Sequence, residues 1–173
     1  MATPVQIKVV RQRTPKSWVG PEILTAVGST LRLPDELRRL IDSGFWPTQG
    51  TANAQDGQPS ADREVIARLA PGEFSLGLDP PPFATLAKEI AANSDFWHEH
   101  GALDEIDPEL ALIIGDFGLG SDTAIVLDYR GDMTSPRVMR LVWTDQGNHW
   151  IEAAPSFVAF AAALGLPYDE PGR

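Results

Sequence analysis

Two short strings in this sequence contain residue types that support chemistry in other proteins. The first is Gly115–Asp122, which reads GDFGLGSD and holds three glycines within six residues. A phosphate-binding loop places such glycines between a strand and a helix and adds Gly-Lys-Ser or Gly-Lys-Thr. Here a strand-like segment follows, that tripeptide is absent, and Asp116 and Asp122 would repel phosphate. We therefore interpret the string as a tight β-turn that starts at Gly115, with Gly118 or Gly120 at positive φ.

The second string is His98-Glu99-His100, which could bind a metal ion together with Asp95 or Asp104. Histidines at positions i and i+2 face the same side only on a strand, whereas these lie in a predicted helix end or loop. The sequence also has no cysteine and no Gly-x-Ser-x-Gly nucleophile motif. We therefore predict no catalytic residue, no metal and no cofactor, and we do not expect an enzyme.

Charge is distributed unevenly along the chain, whose net charge is −10. The first 20 residues contain four bases and no acid, whereas Glu89–Asp132 contains eleven acids and one base, Arg130. Such a field disfavours nucleic acid and favours a cationic partner. The alternative is an acidic surface that only keeps the protein solvated. The residues predicted to contact a partner lie in one polar segment: Asp95, Glu99, Asp104, Glu105 and Asp107.

Length and composition indicate one globular domain. The chain has 173 residues, of which 43% are hydrophobic, and that length is sufficient for a single core. The N-terminal residues are too polar for a secretory signal, and no run of about 18 apolar residues is present. We expect a cytoplasmic protein without a membrane segment.

Hydrophobic periodicity predicts an α+β fold in which helices pack against an antiparallel sheet. Alternating residues predict strands over 111–114, 123–129, 137–143 and 149–151, joined by short polar turns that allow only antiparallel pairing. A further strand is predicted at Pro4–Val10. We divide the chain into an N-terminal strand and basic connection (1–30), a main domain (31–167) with a mobile insert at about 47–62, and a tail (168–173).

Apolar stripes predict three main helices. The first follows Leu33-Pro34, the second spans about 83–91, and the third is capped by Ser156 and ends at Gly165. Between the second helix and Pro108 we expect an irregular acidic connection that begins at Phe96. Trp150, Phe157 and Phe160 are predicted to be buried in the core.

Four stretches resemble the SUKH superfamily, which includes a fungal regulator of cell-wall synthesis and many bacterial immunity proteins. They are Leu33-Pro34 with its helix, Ile114–Asp122, Leu127–Arg130, and Trp150 followed by Ala154–Phe157 and Phe160. The resemblance implies an antiparallel α+β fold, no catalytic residues, and partner surfaces that differ between members. It transfers the turn glycines and Trp150 as structural positions only.

The resemblance and the charge together imply a protein that binds and neutralises a polymorphic toxin in the producing cell. Many such toxins are nucleases with basic clefts, which an acidic inhibitor can cover. Two alternatives remain open: a regulatory scaffold or adaptor of the cell-wall-regulator kind, and a small metal-dependent hydrolase that uses the acidic clusters. The sequence does not determine the oligomeric state.

Overall fold

A computed structural model describes residues 22–24, 28, 30–48, 62–117 and 123–167. Several predictions concern residues outside these ranges: the strand at Pro4–Val10, most of the insert at about 47–62, the positive φ of Gly118 or Gly120, and the tail at 168–173. Among the described residues, Pro47 and Thr48 at the start of that insert are buried.

The centre of the fold is a five-stranded antiparallel sheet in which every strand pairs with its neighbour in sequence. Its strands are β3 (Gly77–Leu78), β4 (Ala111–Asp116), β5 (Ala124–Asp128), β6 (Arg137–Val142) and β7 (His149–Ala154). A separate hairpin joins β1 (Glu22–Leu24) to β2 (Thr30–Arg32). The sheet and its helices confirm the predicted α+β class.

Helices cover both faces of this sheet. They are α1 (Asp35–Asp42), α2 (Arg63–Leu69), α3 (Leu86–Ala92), α4 (Ser94–His100) and α5 (Phe157–Ala163), with a 3₁₀ turn at Pro108–Leu110. One core cluster joins α1, α2 and α5 to one face of the sheet. A second cluster joins α3 and α4 to the opposite face. In the described part of the chain, no helix has the length and apolar character needed to cross a bilayer.

Strand β5 shows how the two faces are divided. Ile125 and Leu127 point into the first core cluster, whereas Ala124 and Val126 point into the second. All five residues of β5 are buried, because a central strand covered by helices on both faces has no solvent side. Tyr129 follows on the same face as Ile125 and Leu127, and its hydroxyl donates a hydrogen bond of 2.9 Å to the Arg32 carbonyl of β2.

Local capping explains where the predicted helices begin and end. The Ser156 hydroxyl accepts a hydrogen bond from the Ala159 amide and starts α5. Gly165 has φ 69° and follows the end of α5, where its amide and that of Leu166 bond back to helix carbonyls. Gly44, at φ 75°, ends α1 in the same way. Both helices therefore end in Schellman motifs, which need a residue that tolerates the left-handed conformation.

Two predicted segments differ from the structure. The expected irregular connection after Phe96 is wrong over its first part, because Ser94–His100 forms α4 and buries Trp97. Its two apolar residues are adjacent, so the sequence contains no i, i+3 or i+4 apolar repeat that would reveal the helix. The predicted start of the glycine-rich turn at Gly115 is also wrong, since Gly115 and Asp116 continue β4 and pair with β3.

Gly115 is needed for a close approach of two strands. A β-carbon at this position would lie 2.2 Å from the Gly77 carbonyl oxygen. The register of β4 against β5 shifts between Ile113 and Gly115, as in a β-bulge. Glycine therefore lets β3 dock against the end of β4, at the edge of the sheet next to the site described below.

Candidate functional site

The five acids predicted to contact a partner divide into two groups. Asp95, Glu99 and Asp104 are exposed. Glu105 and Asp107 are partly buried and form hydrogen bonds within the fold. The structure therefore leaves three of the five carboxylates open to solvent, while the other two hold the segment that follows α4.

Glu105 connects this segment to β7. One carboxylate oxygen accepts a hydrogen bond of 2.8 Å from the Trp150 amide, and the other lies 2.7 Å from His149 Nδ1. The bonds from His149 and from the Trp150 amide hold the pKa of Glu105 below its ordinary value. Both oxygens of the Glu105 carboxylate are thus used in contacts within the fold.

Asp107 has a capping role. Its Oδ1 accepts a hydrogen bond of 3.0 Å from the Glu109 amide at the start of the 3₁₀ turn. Nearby, Arg130 Nη1 donates a bond of 2.8 Å to the Glu105 carbonyl. These contacts fix the backbone between α4 and β4.

The exposed acids of α4 lie beside an aromatic platform formed by Phe96, His100 and Trp143. The Trp143 ring lies 4.9 Å from the His100 ring and 6.3 Å from the Phe96 ring, measured between centroids. Trp143, which directly follows β6, is nonetheless 42% exposed. At about 100° per residue, Asp95 and Glu99 form a stripe next to Phe96 and His100. Apolar and acidic groups thus meet on one surface of α4.

A cleft of about 420 Å³ adjoins this platform on the α3 and α4 side of the sheet. Three aromatic rings contribute to its walls: Phe83, Phe96 and Trp97. Three acidic residues also line it: Asp79 from the segment after β3, Glu89 from α3 and Asp116 from β4. In the described part of the chain, no base is among the lining residues. The volume lies in the range of about 300–1,000 Å³ that is typical of ligand sites.

The Asp79 carboxyl has an unusual environment. Burial, and then the negative charges of Asp116 and Glu89, raise its pKa to about 6. Its backbone is well bonded, because its amide donates to the Ile114 carbonyl and its carbonyl accepts from the Trp46 indole. Within the described chain, no hydrogen bond or ion pair reaches the carboxylate itself. A partly buried acid without a partner in a cleft is a candidate functional group.

A second set of charges has a structural role. The fully buried carboxylate of Asp128 accepts three hydrogen bonds from Arg130 and one from Arg137 Nε. Burial by itself would raise the pKa of Asp128, but these bonds outweigh it and hold the pKa below its ordinary value. This network fastens the turn between β5 and β6, so we assign it no ligand.

The predicted core residues are confirmed as buried. Trp150 belongs to the cluster under α3 and α4, whereas Phe157 and Phe160 belong to the opposite cluster. The histidines contact the fold: His98 Nδ1 lies 2.8 Å from the Ser94 carbonyl, and His100 stacks in the platform. Among the residues that the structure describes, no three His, Asp or Glu side chains converge as metal ligands would.

Sequence reasoning missed the cleft. Asp79, Glu89 and Asp116 are separated along the chain and share no spacing that a motif would reveal. The only local signal was Asp116 within the glycine-rich string, which we interpreted as part of a turn.

No protein-family model matches this chain, and comparison with curated proteins and with solved structures also found no match.

Proposed function

We propose that this chain is a non-catalytic binding domain whose partner is a basic protein. The observation that carries the proposal is the surface of α4. Its exposed acids Asp95 and Glu99 adjoin Phe96 and His100 in sequence, and the rings of these two residues contact the partly exposed ring of Trp143. Protein interfaces are enriched in aromatic residues that are buried on binding. Acids at the rim of such a surface attract a cationic partner and accelerate its docking.

We further propose that the domain is a SUKH-like immunity protein, which neutralises a toxin in the cytoplasm of the producing cell. The resemblance of Ile114–Asp122, Leu127–Arg130 and the stretch after Trp150 supports this proposal. The α+β class agrees with what that resemblance implies. An acidic surface also suits the basic cleft of a nuclease toxin. A regulatory scaffold of the cell-wall-regulator kind would use the same surface for a different basic partner.

The test measures association with the product of the neighbouring gene, because an immunity gene normally lies beside its toxin gene. The variant Asp95→Asn/Glu99→Gln removes two acids from the platform side. The matched control, Glu36→Gln/Glu64→Gln, removes a partly exposed acid from α1 and an exposed acid from α2, two helices on the opposite face of the sheet. Both variants have the same net charge, so only the position of the lost charge differs.

At low salt, we expect the association rate of the platform variant to be lower than that of the wild type by a factor of about three or more. This difference between the two rates should shrink at about 0.15 M salt. The control should associate at nearly the wild-type rate. Trp143→Ala should act differently and increase the dissociation rate, since it removes packing rather than steering. Equal slowing by both double variants would contradict this interface. No binding by the wild type would contradict the immunity proposal for that pair of genes.

A further inference from the structure

The cleft beside α3 and α4 differs from the surrounding acidic surface in being concave and aromatic. Its three acidic residues come from three separate elements, and they line a space that Phe83, Phe96 and Trp97 also line. Acids on a solvent-exposed helix, by contrast, are not surrounded by aromatic residues. The cleft therefore resembles a binding site for a single chemical group more than an extended acidic surface.

The charges of the cleft indicate which chemical group it would bind. Among the residues that the structure describes, three acids and no base line it, so an anion would be repelled. A bare metal ion does not fit the described side chains, because no three of them converge as ligands. The unpartnered Asp79 carboxylate would gain most from a cation that donates hydrogen bonds, since it lies partly buried beside two other acids.

We propose that this cleft binds an arginine side chain of the partner protein, an inference that rests on the proposed function. A guanidinium group is planar, donates up to five hydrogen bonds in a fixed geometry, and stacks on aromatic rings. The combination of three acidic and three aromatic residues along one cleft matches these properties. A lysine ammonium is a compact point charge that would use the aromatic walls less well.

The position of the cleft agrees with this occupant. Phe96 lines the cleft and also stacks with Trp143 in the exposed platform. If a partner's arginine side chain entered the cleft, the partner's backbone would therefore lie next to the aromatic platform of α4. The cleft and the platform form one continuous interface, in which a buried arginine serves as an anchor.

The test uses a small probe, so that it does not depend on knowing the partner. The full chain, labelled with ¹⁵N, is titrated with N-acetyl-arginine N-methylamide and followed by NMR. N-acetyl-citrulline N-methylamide has nearly the same shape without the charge and serves as the matched ligand control. We expect saturable chemical-shift changes at the amides of Ala84, Ile113, Gly115 and Ala124 when the arginine compound is added. The citrulline compound should bind at least about tenfold more weakly.

Three variants locate the binding. Asp79→Asn and Glu89→Gln should each weaken binding of the arginine compound by about tenfold. Glu64→Gln, on α2 at the opposite face, should leave it unchanged. Two cleft variants are used because they lie on different elements, so a folding defect in one does not remove the test.

Several results would overturn the proposal. They are equal binding of the citrulline compound, unchanged binding by both cleft variants, and shifts that cluster away from the cleft. Free arginine binding more than tenfold tighter than the blocked compound would show a site for a small molecule rather than for a partner's side chain. These failures leave the association experiment with the neighbouring protein unaffected. Loss of that association with the arginine binding intact would instead contradict the proposed function.

Discussion

The carboxylate of Glu105 accepts a hydrogen bond from the backbone amide of Trp150, 45 residues further along the chain. The Trp150 indole returns a bond of 2.7 Å to the Gly101 carbonyl. The segment between α4 and the 3₁₀ turn is thereby attached to β7 at two points. The sequence suggests Glu105 as a partner contact, but in the structure its carboxylate connects this segment to β7 by hydrogen bonding.

We therefore predict that Glu105→Gln lowers the melting temperature at neutral pH, whereas Asp104→Asn, an exposed neighbour, does not. The amide of glutamine can accept only one of the two hydrogen bonds. Because the folded pKa of Glu105 is depressed, its contribution is present above the ordinary value of 4.5 and is lost as the pH falls through the lower folded value. The difference between variant and wild type should shrink on acidification. A pH-independent difference in thermal melts would contradict this assignment.

Truncation of the core aromatics should be costly on both faces of the sheet. Trp150→Ala and Phe160→Ala should each lower the free energy of unfolding by about 3–5 kcal/mol, the usual cost for a buried aromatic ring. The matched control is Trp143→Ala, whose ring is 42% exposed and should contribute about 1 kcal/mol or less. Urea unfolding measures all three. A Trp143→Ala variant as unstable as Trp150→Ala would show that the platform belongs to the core.

Arg140 gives the opposite prediction, because its charge is buried with little compensation. The residue is 3% exposed, its Nε has no hydrogen-bond partner, and its guanidinium lies 5.9 Å from the Phe117 ring centre. Burial lowers its pKa, opposed only by the charge of Glu73. Arg140→Met should be neutral or stabilise by about 1–3 kcal/mol, as replacing a buried charge by an apolar side chain often does.

Asp128→Asn is the contrasting variant to Arg140→Met, since it breaks a satisfied network. It should destabilise by about 2–4 kcal/mol, somewhat less than a fully buried pair because both arginines are partly exposed. Chemical denaturation of the two variants in parallel measures the difference. A loss of stability in Arg140→Met as large as that in Asp128→Asn would show that the guanidinium makes a compensating contact.

Asp79→Asn should stabilise the protein at pH 7 to 8. The folded pKa of about 6 lies above the ordinary value of 3.8, so the folded state binds the proton more tightly than the unfolded state does. The resulting stabilisation is complete below about pH 4 and is lost as the pH rises through 6. The gain in the variant should be on the order of 1–2 kcal/mol at pH 7.5, allowing for screening of a partly exposed group. It should be close to zero at pH 4.

Thermal melts at these two pH values check the sign of the Asp79 effect. Glu64→Gln, which changes an exposed acid on the opposite face, is the control and should show no such dependence. A variant that is less stable than the wild type at pH 7.5 would mean that the ionised carboxylate makes a stabilising contact, contrary to its environment in the cleft.

Much of the fold could be predicted from local patterns. The alternation at Ile125, Leu127 and Tyr129 identified a strand face, and Ser156 and Gly165 marked the ends of α5, because capping and period are properties of neighbouring residues. Helix α4 was not predicted in this way, since its only apolar residues, Phe96 and Trp97, are adjacent and form no i, i+3 or i+4 repeat. The pairing of Gly115 with β3 escaped it as well, because the strand partner is Leu78, far away in sequence.

The sequence by itself determined the α+β class, the antiparallel order of β4 to β7 and the burial of Trp150, Phe157 and Phe160. It also located the excess of acids, but not their roles. Only the tertiary structure decided that Glu105 is bonded to β7 while Asp95 and Glu99 remain exposed, and that Asp79, Glu89 and Asp116 share one cleft. The physical reason is that charge and period are local properties, whereas desolvation and hydrogen bonding depend on which distant segments the core brings together.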